Sequence, residues 1–452
     1  MGSSDLVAES SVEFLDNKVV LFWSFTVWLV VMNTTMFNVA LPNVLLDLSL
    51  TSATAAWIVS GYSIVFAIAT LTYSRLSDFI PISRLLLVGL SILGIASVIG
   101  FFANQFYLLL IARILQAAGA GAVPGLAMVL ASRYIPLSRR GRAMAYIASA
   151  ASLGFGLGPV IGGVITQYLG WNYLFVVTGL VFILLPIFFK LLPKELVKIG
   201  QFDLIGALLT GLCVTGLLLV LSTFSYVLLA GTIVLVGLWW RHIHRKDLPF
   251  IQPKLLKNKQ YTKLLYIGFI AFVLHFSALF LMPLILTTVF EKEPAAVGLI
   301  IFPGAILSAV AAQFIGRFID RFGNVPVIMF GQSSLVVATV LFALTATKAP
   351  VFILFTYMFM SVGFSAMTSS VSNEYSRILP KEEIGSGIGL AQLLQFFGGA
   401  FGVTMTGILL TWQQGVLEQL SYQNIFIVLI GLIISSVCVF GLYIKGAHVR
   451  RN

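Results

Sequence analysis

Fourteen stretches of this chain are apolar for long enough to cross a lipid bilayer, and that one feature decides most of what the chain can become. A spanning helix takes about 20 mostly apolar residues. Such runs fall at 19–42, 52–73, 85–103, 106–132, 142–168 and 172–192, then at 205–222 and 224–240. The rest lie at 263–290, 295–316, 326–346, 350–373, 385–411 and 422–444. In lipid a segment must satisfy its own backbone hydrogen bonds, so each run is predicted to be a helix. Of the 452 residues, 59% are hydrophobic and 10% charged, where a soluble domain carries about 25% charged residues. No soluble core can bury that much apolar side chain, which excludes a water-soluble enzyme.

The charges orient the predicted bundle. With both termini cytoplasmic, all but three of the 27 lysines and arginines fall on the cytoplasmic side. The exceptions are Lys292 and Lys348 in outer loops and Arg113 inside a run. A miscounted helix would mix the charges across both faces, so the positive-inside bias supports the count. It also accounts for the net charge of +11 without nucleic acid as a partner. Asp5, Glu9, Glu13 and Asp16 precede the first run, the wrong sign for a signal peptide, so the N-terminus is expected to stay uncleaved. Cys213 and Cys438 lie within apolar runs and read as packing residues; no metal-ligand spacing is present.

An internal repeat divides the chain. Ser74-Arg75-Leu76-Ser77-Asp78 follows the second run, and Gly316-Arg317-Phe318-Ile319-Asp320 follows the tenth, 242 residues on. Two six-helix halves separated by a two-helix insert explain the offset. The expected organisation is an N-terminal half (1–192), a central hairpin with a basic cytoplasmic loop (193–262), and a C-terminal half (263–452). Parallel repeats around a site at mid-membrane depth mark a transporter.

Several segments carry chemistry. Arg113-Ile114-Leu115-Gln116 puts an arginine and an amide on one helix face. Arg113 lies roughly 10 Å below the outer boundary, too deep for an interface anchor, so it must face a polar interior. Gly154, Gly158 and Gly162 repeat at a spacing of four, which lets a second helix approach closely, and Pro159 removes a backbone donor and permits a bend. Gly163, Asn38-Val39-Ala40-Leu41-Pro42 and Trp171-Asn172-Tyr173-Leu174-Phe175 complete the set.

On these residues the chain resembles the fourteen-helix drug:proton antiporters of the major facilitator superfamily, Gram-positive multidrug and tetracycline efflux proteins among them. The resemblance implies an all-α integral membrane fold of 6 + 2 + 6 helices in two pseudo-symmetric halves. It implies a clamp between the halves at Arg75, Asp78, Arg84, Arg317 and Asp320. It makes Gly154, Gly158, Pro159, Gly162 and Gly163 the antiporter hinge and links Arg113 to proton transfer. The chain departs from the family pattern at Ser74, Pro81 and Ala117, where glycines are usual.

A deeper departure concerns carboxylates. Asn33 stands where multidrug members often carry an aspartate, Phe155 where tetracycline exporters have a glutamate, and Gln392 and Gln395 where another acid is expected. The candidates for proton coupling are therefore Arg113, Glu374, Asp47 and His275. Each has a plainer alternative: Glu374 a charge at the inner mouth, Asp47 a solvated cap, His275 a hydrogen-bonded interior ring. Pocket candidates are Asn33, Asn38, Gln116, Phe155, Gln392 and Gln395.

The function expected is proton-coupled export of amphipathic, cationic or zwitterionic drugs by alternating access. Aromatic faces can hold a delocalised cation without a fixed carboxylate. A narrow exporter of tetracycline or of an endogenous lipid-like solute is the alternative. A membrane receptor or enzyme is a further one, weakened because no Ser-His-Asp or phosphate-cradling cluster appears. No cofactor or metal is expected. The expected partners are drugs, protons and lipid; the expected state is a monomer in a bacterial cytoplasmic membrane.

Overall fold

The structure is a computed structural model that describes residues 17–77, 80–134, 137–192, 202–380 and 383–448. Its first half contains α1 (Asn17–Asp47), α2 (Ser52–Leu76), α3 (Ile82–Phe101), α4 (Phe106–Ala120), α5 (Ala122–Tyr134) and α6 (Leu137–Tyr168). A 3₁₀ turn (Trp171–Tyr173), α7 (Leu174–Gly179) and α8 (Val181–Leu191) together make the sixth crossing. The hairpin is α9 (Leu204–Thr223) and α10 (Tyr226–Arg245), followed by the short α11 (Pro253–Lys257). The second half runs through α12 (Lys259–Thr288), α13 (Pro294–Phe322), α14 (Asn324–Thr345), α15 (Pro350–Ile378), α16 (Ile384–Trp412) and α17 (Glu418–His448). Among the described residues, thirteen helical segments are long and apolar enough to cross a membrane. The remaining expected run lies on α6, a continuous 32-residue helix.

The two halves meet along two seams that the repeat relates to each other. On one side α6 lies against α13; on the other α16 lies against α2. Glycines set the first seam. Gly154, Gly158 and Gly162 present one edge of α6 to α1, where a Cβ would strike the Trp28, Met32 and Met36 carbonyls. The other edge faces α13: a Cβ on Gly163 would collide with the Pro294 carbonyl, and one on Gly298 with the Pro159 carbonyl. At the second seam Gly407 leaves no room beside Ser52 and Ala56. Ser52 and Pro294 both begin helices, so the two seams are tight at the same end of the molecule.

The hairpin lies against the second seam, with α9 touching both α2 and α16 and α10 largely exposed. Buried Asp203 fastens its base. The carboxylate caps α9 by accepting from the Gly206 amide (3.0 Å), and it also accepts from the Phe250 amide (2.8 Å) and lies 2.7 Å from His242 Nε2. Burial alone would raise its pKa. The hydrogen bond with His242 and those from the two amides outweigh that and hold it below the ordinary carboxylate value.

Candidate functional site

Between the halves α1, α2, α4 and α6 face α12 and α16 across a cavity of about 180 Å³. Val59, Tyr62, Ser63, Phe66 and Thr70 of α2 line it, one helix face at spacings of three and four. Phe155 comes from α6, Phe276 from α12, and Gln392 and Phe396 from α16. Phe66 and Phe396 meet edge to face at 5.1 Å and join the two halves by their rings. Among the described residues, Arg113 is the one charged side chain in this lining.

Arg113 is buried, with 1% of its surface exposed. An arginine at mid-membrane depth costs about 2.5–3.5 kcal/mol or more unless its surroundings compensate. Here the compensation comes from neutral groups. Its guanidinium carbon lies 4.0 Å from the Phe37 ring centroid and 4.1 Å from that of Tyr62, so two aromatic faces enclose the cation. Nη1 donates to Asn33 Oδ1 (3.2 Å) and to Gln116 Oε1 (3.0 Å). Those acceptors are themselves positioned: Thr178 Oγ1 donates to Asn33 Oδ1 (3.3 Å), and Gln116 Nε2 donates to Ser97 Oγ (2.9 Å). Nε is buried and has no acceptor.

The expected pocket residues divide. Phe155 and Gln392 line the cavity, and Asn33 and Gln116 form the wall behind Arg113. Asn38 is buried on α1 with Oδ1 unpartnered, outside the lining. Gln395 turns toward Gly268 and Tyr375 inside the second half.

The other coupling candidates stand apart from the cavity. Asp47 accepts from the Trp171 indole (2.9 Å) and pins the 3₁₀ turn to α1. Glu374 is no loop charge: it is buried on α15 and accepts from Asn324 Nδ2, Tyr443 OH (2.6 Å) and Arg377 Nη1 (3.2 Å). It thereby ties α14, α15 and α17 together. His275 stacks on Phe364 at 3.8 Å with its Nδ1 unpartnered, one residue from cavity-lining Phe276.

Of the expected clamp, Asp78 lies outside the described residues. Arg75 ends α2, Arg84 is exposed on α3, and Arg317 lies exposed with its guanidinium 5.8 Å from the Phe314 ring. Asp320 lies on α13.

Sequence reading did not anticipate Phe37, Tyr62, Ser97 and Thr178, which come from four separate segments. A usable signal existed for one of them: Tyr62 shares a helix face with Ser63, Phe66 and Thr70, a polar and aromatic stripe in an otherwise apolar run.

The model of the Major Facilitator Superfamily matches residues 23–403. The riboflavin transporter RibZ of Clostridioides difficile is 25% identical over 92% of this chain and 94% of its own. The lincomycin resistance protein LmrB of Listeria monocytogenes is 25% identical over 82% of this chain and 81% of its own. Among solved structures, a bacterial homologue of the human lysosomal transporter Spinster, inward-facing and occupied, superposes with a TM-score of 0.68 at 12% identity, over 95% of this chain and 97% of that one. The nucleoside transporter NupG gives a TM-score of 0.68 at 14% identity, over 94% and 99%. The chain therefore belongs to the major facilitator superfamily and is a multi-pass membrane transporter, not an enzyme.

Proposed function

We propose that this transporter exports amphipathic, ring-bearing drugs from a bacterial cell in exchange for protons, with both termini in the cytoplasm and the monomer as the working unit. The observation that carries the reading is the cavity between the halves, walled by Tyr62, Phe66, Phe155, Phe276 and Phe396 and holding one buried cation. Its seams are tight where α2 and α13 begin, the outer end in the orientation given by the charges. Loosening those contacts while the opposite ends close gives alternating access. The names of two relatives, a riboflavin transporter and a lincomycin resistance protein, support a small organic solute. Of the cationic and zwitterionic solutes that the sequence leaves open, the cavity favours the zwitterionic.

One proton moving down about 100 mV and one pH unit releases roughly 3.7 kcal/mol, enough for about a 500-fold solute gradient. A guanidinium keeps its proton at ordinary pH, so Arg113 organises the site while another group titrates. Glu374 is the buried acid for that role. Dye uptake into inverted vesicles with an imposed pH gradient, wild type beside Arg113→Ala and Glu374→Gln, is the test. Gradient-dependent uptake in the wild type alone supports the reading. ATP-driven uptake without a gradient removes it, and full coupling in Glu374→Gln transfers the proton to Asp47 or His275.

A further inference from the structure

We infer that the solute brings a negative charge into the cavity and that this charge, a carboxylate in its simplest form, docks on the free edge of Arg113. The inference rests on the reading of the cavity as the solute site and adds the charge class of the solute. Its starting point is an imbalance. Arg113 is buried, and the protein groups around it are two rings and two amide oxygens, all neutral. Among the described residues no carboxylate reaches it. The acids that are buried elsewhere, Asp203 and Glu374, are committed to their own partners.

The geometry of the hydrogen bonds points the same way. Both protein acceptors are taken by Nη1. Nε has none, and it forms one edge of the guanidinium with Nη2. Two parallel N–H donors on one edge match the two oxygens of a carboxylate, the strongest arrangement a guanidinium makes. The rings of Phe37 and Tyr62 stand 4.0 and 4.1 Å from the guanidinium carbon and crowd approach over it, which leaves the unpartnered edge for an anion. Phe155, Phe276 and Phe396 then supply an apolar wall for the rest of the solute. The class of solute is an amphipathic arene that carries an anionic head, with or without a compensating cation further out.

A matched series on one ring system tests this: 9-anthracenecarboxylate, 9-anthracenecarboxamide and 9-anthracenylmethylammonium. Binding to the purified full-length protein in nanodiscs, without any gradient, is followed by probe fluorescence at pH 7. The carboxylate is expected to bind at least tenfold more tightly than the ammonium. Arg113→Gln should bring the three affinities within about threefold of one another, with a melting temperature near that of the wild type reporting a folded protein. Arg113→Lys, which keeps the charge but lacks the fork, should recover only part of the preference. Equal or tighter binding of the ammonium, undiminished carboxylate binding in Arg113→Gln, or no saturable carboxylate binding each overturns the inference. Because no gradient is applied, these results are independent of whether transport is coupled to protons.

Discussion

Asn33→Asp places a permanent counter-ion on Nη1 of the guanidinium whose other edge is proposed to receive the solute's charge, and the structure sets the size of the effect. Asn33 Oδ1 already lies 3.2 Å from Arg113 Nη1, so an aspartate in the same rotamer forms an ion pair without moving the backbone. At an effective dielectric constant near 20, opposite charges at that distance attract by about 5 kcal/mol. Desolvating the new carboxylate costs several kcal/mol, so the fold should gain or lose little. The solute, by contrast, meets a guanidinium that is already neutralised. The weakened attraction is worth at most one charge-assisted hydrogen bond, about 1.5–3 kcal/mol, which at 1.36 kcal/mol per decade bounds the loss of anion affinity at roughly 10- to 150-fold. Cationic solutes lose a repulsion and should bind more tightly, divalent ones most of all. The anthracene series and vesicle uptake of a divalent cationic dye read both effects. Undiminished carboxylate binding in Asn33→Asp would refute the counter-ion reasoning.

Three further outcomes are expected. Cysteine labelling should reach positions 292 and 348 from outside and positions 241–263 only from inside; outside labelling within 241–263 breaks the topology. Gly163→Leu and Gly298→Leu force side chains into facing carbonyls at a cost of about 1–3 kcal/mol to the tight end. They should suppress transport while leaving solute binding, whereas Gly231→Leu, with nothing within 4 Å, should do neither. Asp203→Asn retains the helix cap but not the charge that His242 and two backbone amides favour. Because the folded pKa lies below the ordinary 3.8, the stability it adds is fully present above that value and fades as pH falls through the folded pKa. The melting temperatures of wild type and variant should therefore differ above pH 3.8 and converge as pH falls through the folded pKa below it; a constant gap excludes the mechanism.

The fold was legible because its two strongest signals are one-dimensional. Length of apolar run and side of positive charge need no knowledge of which helix touches which, and the run boundaries fall within a few residues of the helices found. The break in the fourth crossing at Gly121 was not visible in that way. Gly121 and Gly125 lie against the backbone of α2 around Thr70, and the approach of a second helix is what gives their spacing a meaning. The same holds for α6. Its four-residue glycine spacing announced one packed edge, yet Gly163 and Pro159 form a second edge toward α13, and nothing in the spacing separates two stripes on one helix.

The sequence offered the central residue of the site, Arg113, and four of the side chains found around it or in the cavity wall, Asn33, Gln116, Phe155 and Gln392. An arginine inside an apolar run demands polar surroundings, and the chain's lack of a carboxylate nearby could be counted from the sequence. The rest of what surrounds the guanidinium could not, because Phe37, Tyr62, Ser97 and Thr178 come from α1, α2, α3 and α7 and meet through tertiary packing alone. The aromatic residues also took a different part from the one assigned to them. Read as a sequence, they offered faces to a cationic drug in place of an acid. In the structure two aromatic rings, Phe37 and Tyr62, are already occupied by the protein's own cation. A second cation entering the cavity would meet Arg113 without a screening acid, and in a wall this apolar the repulsion is weakly damped. An anion meets the reverse field. The charge that a solute must carry thus follows from which cation the rings already hold.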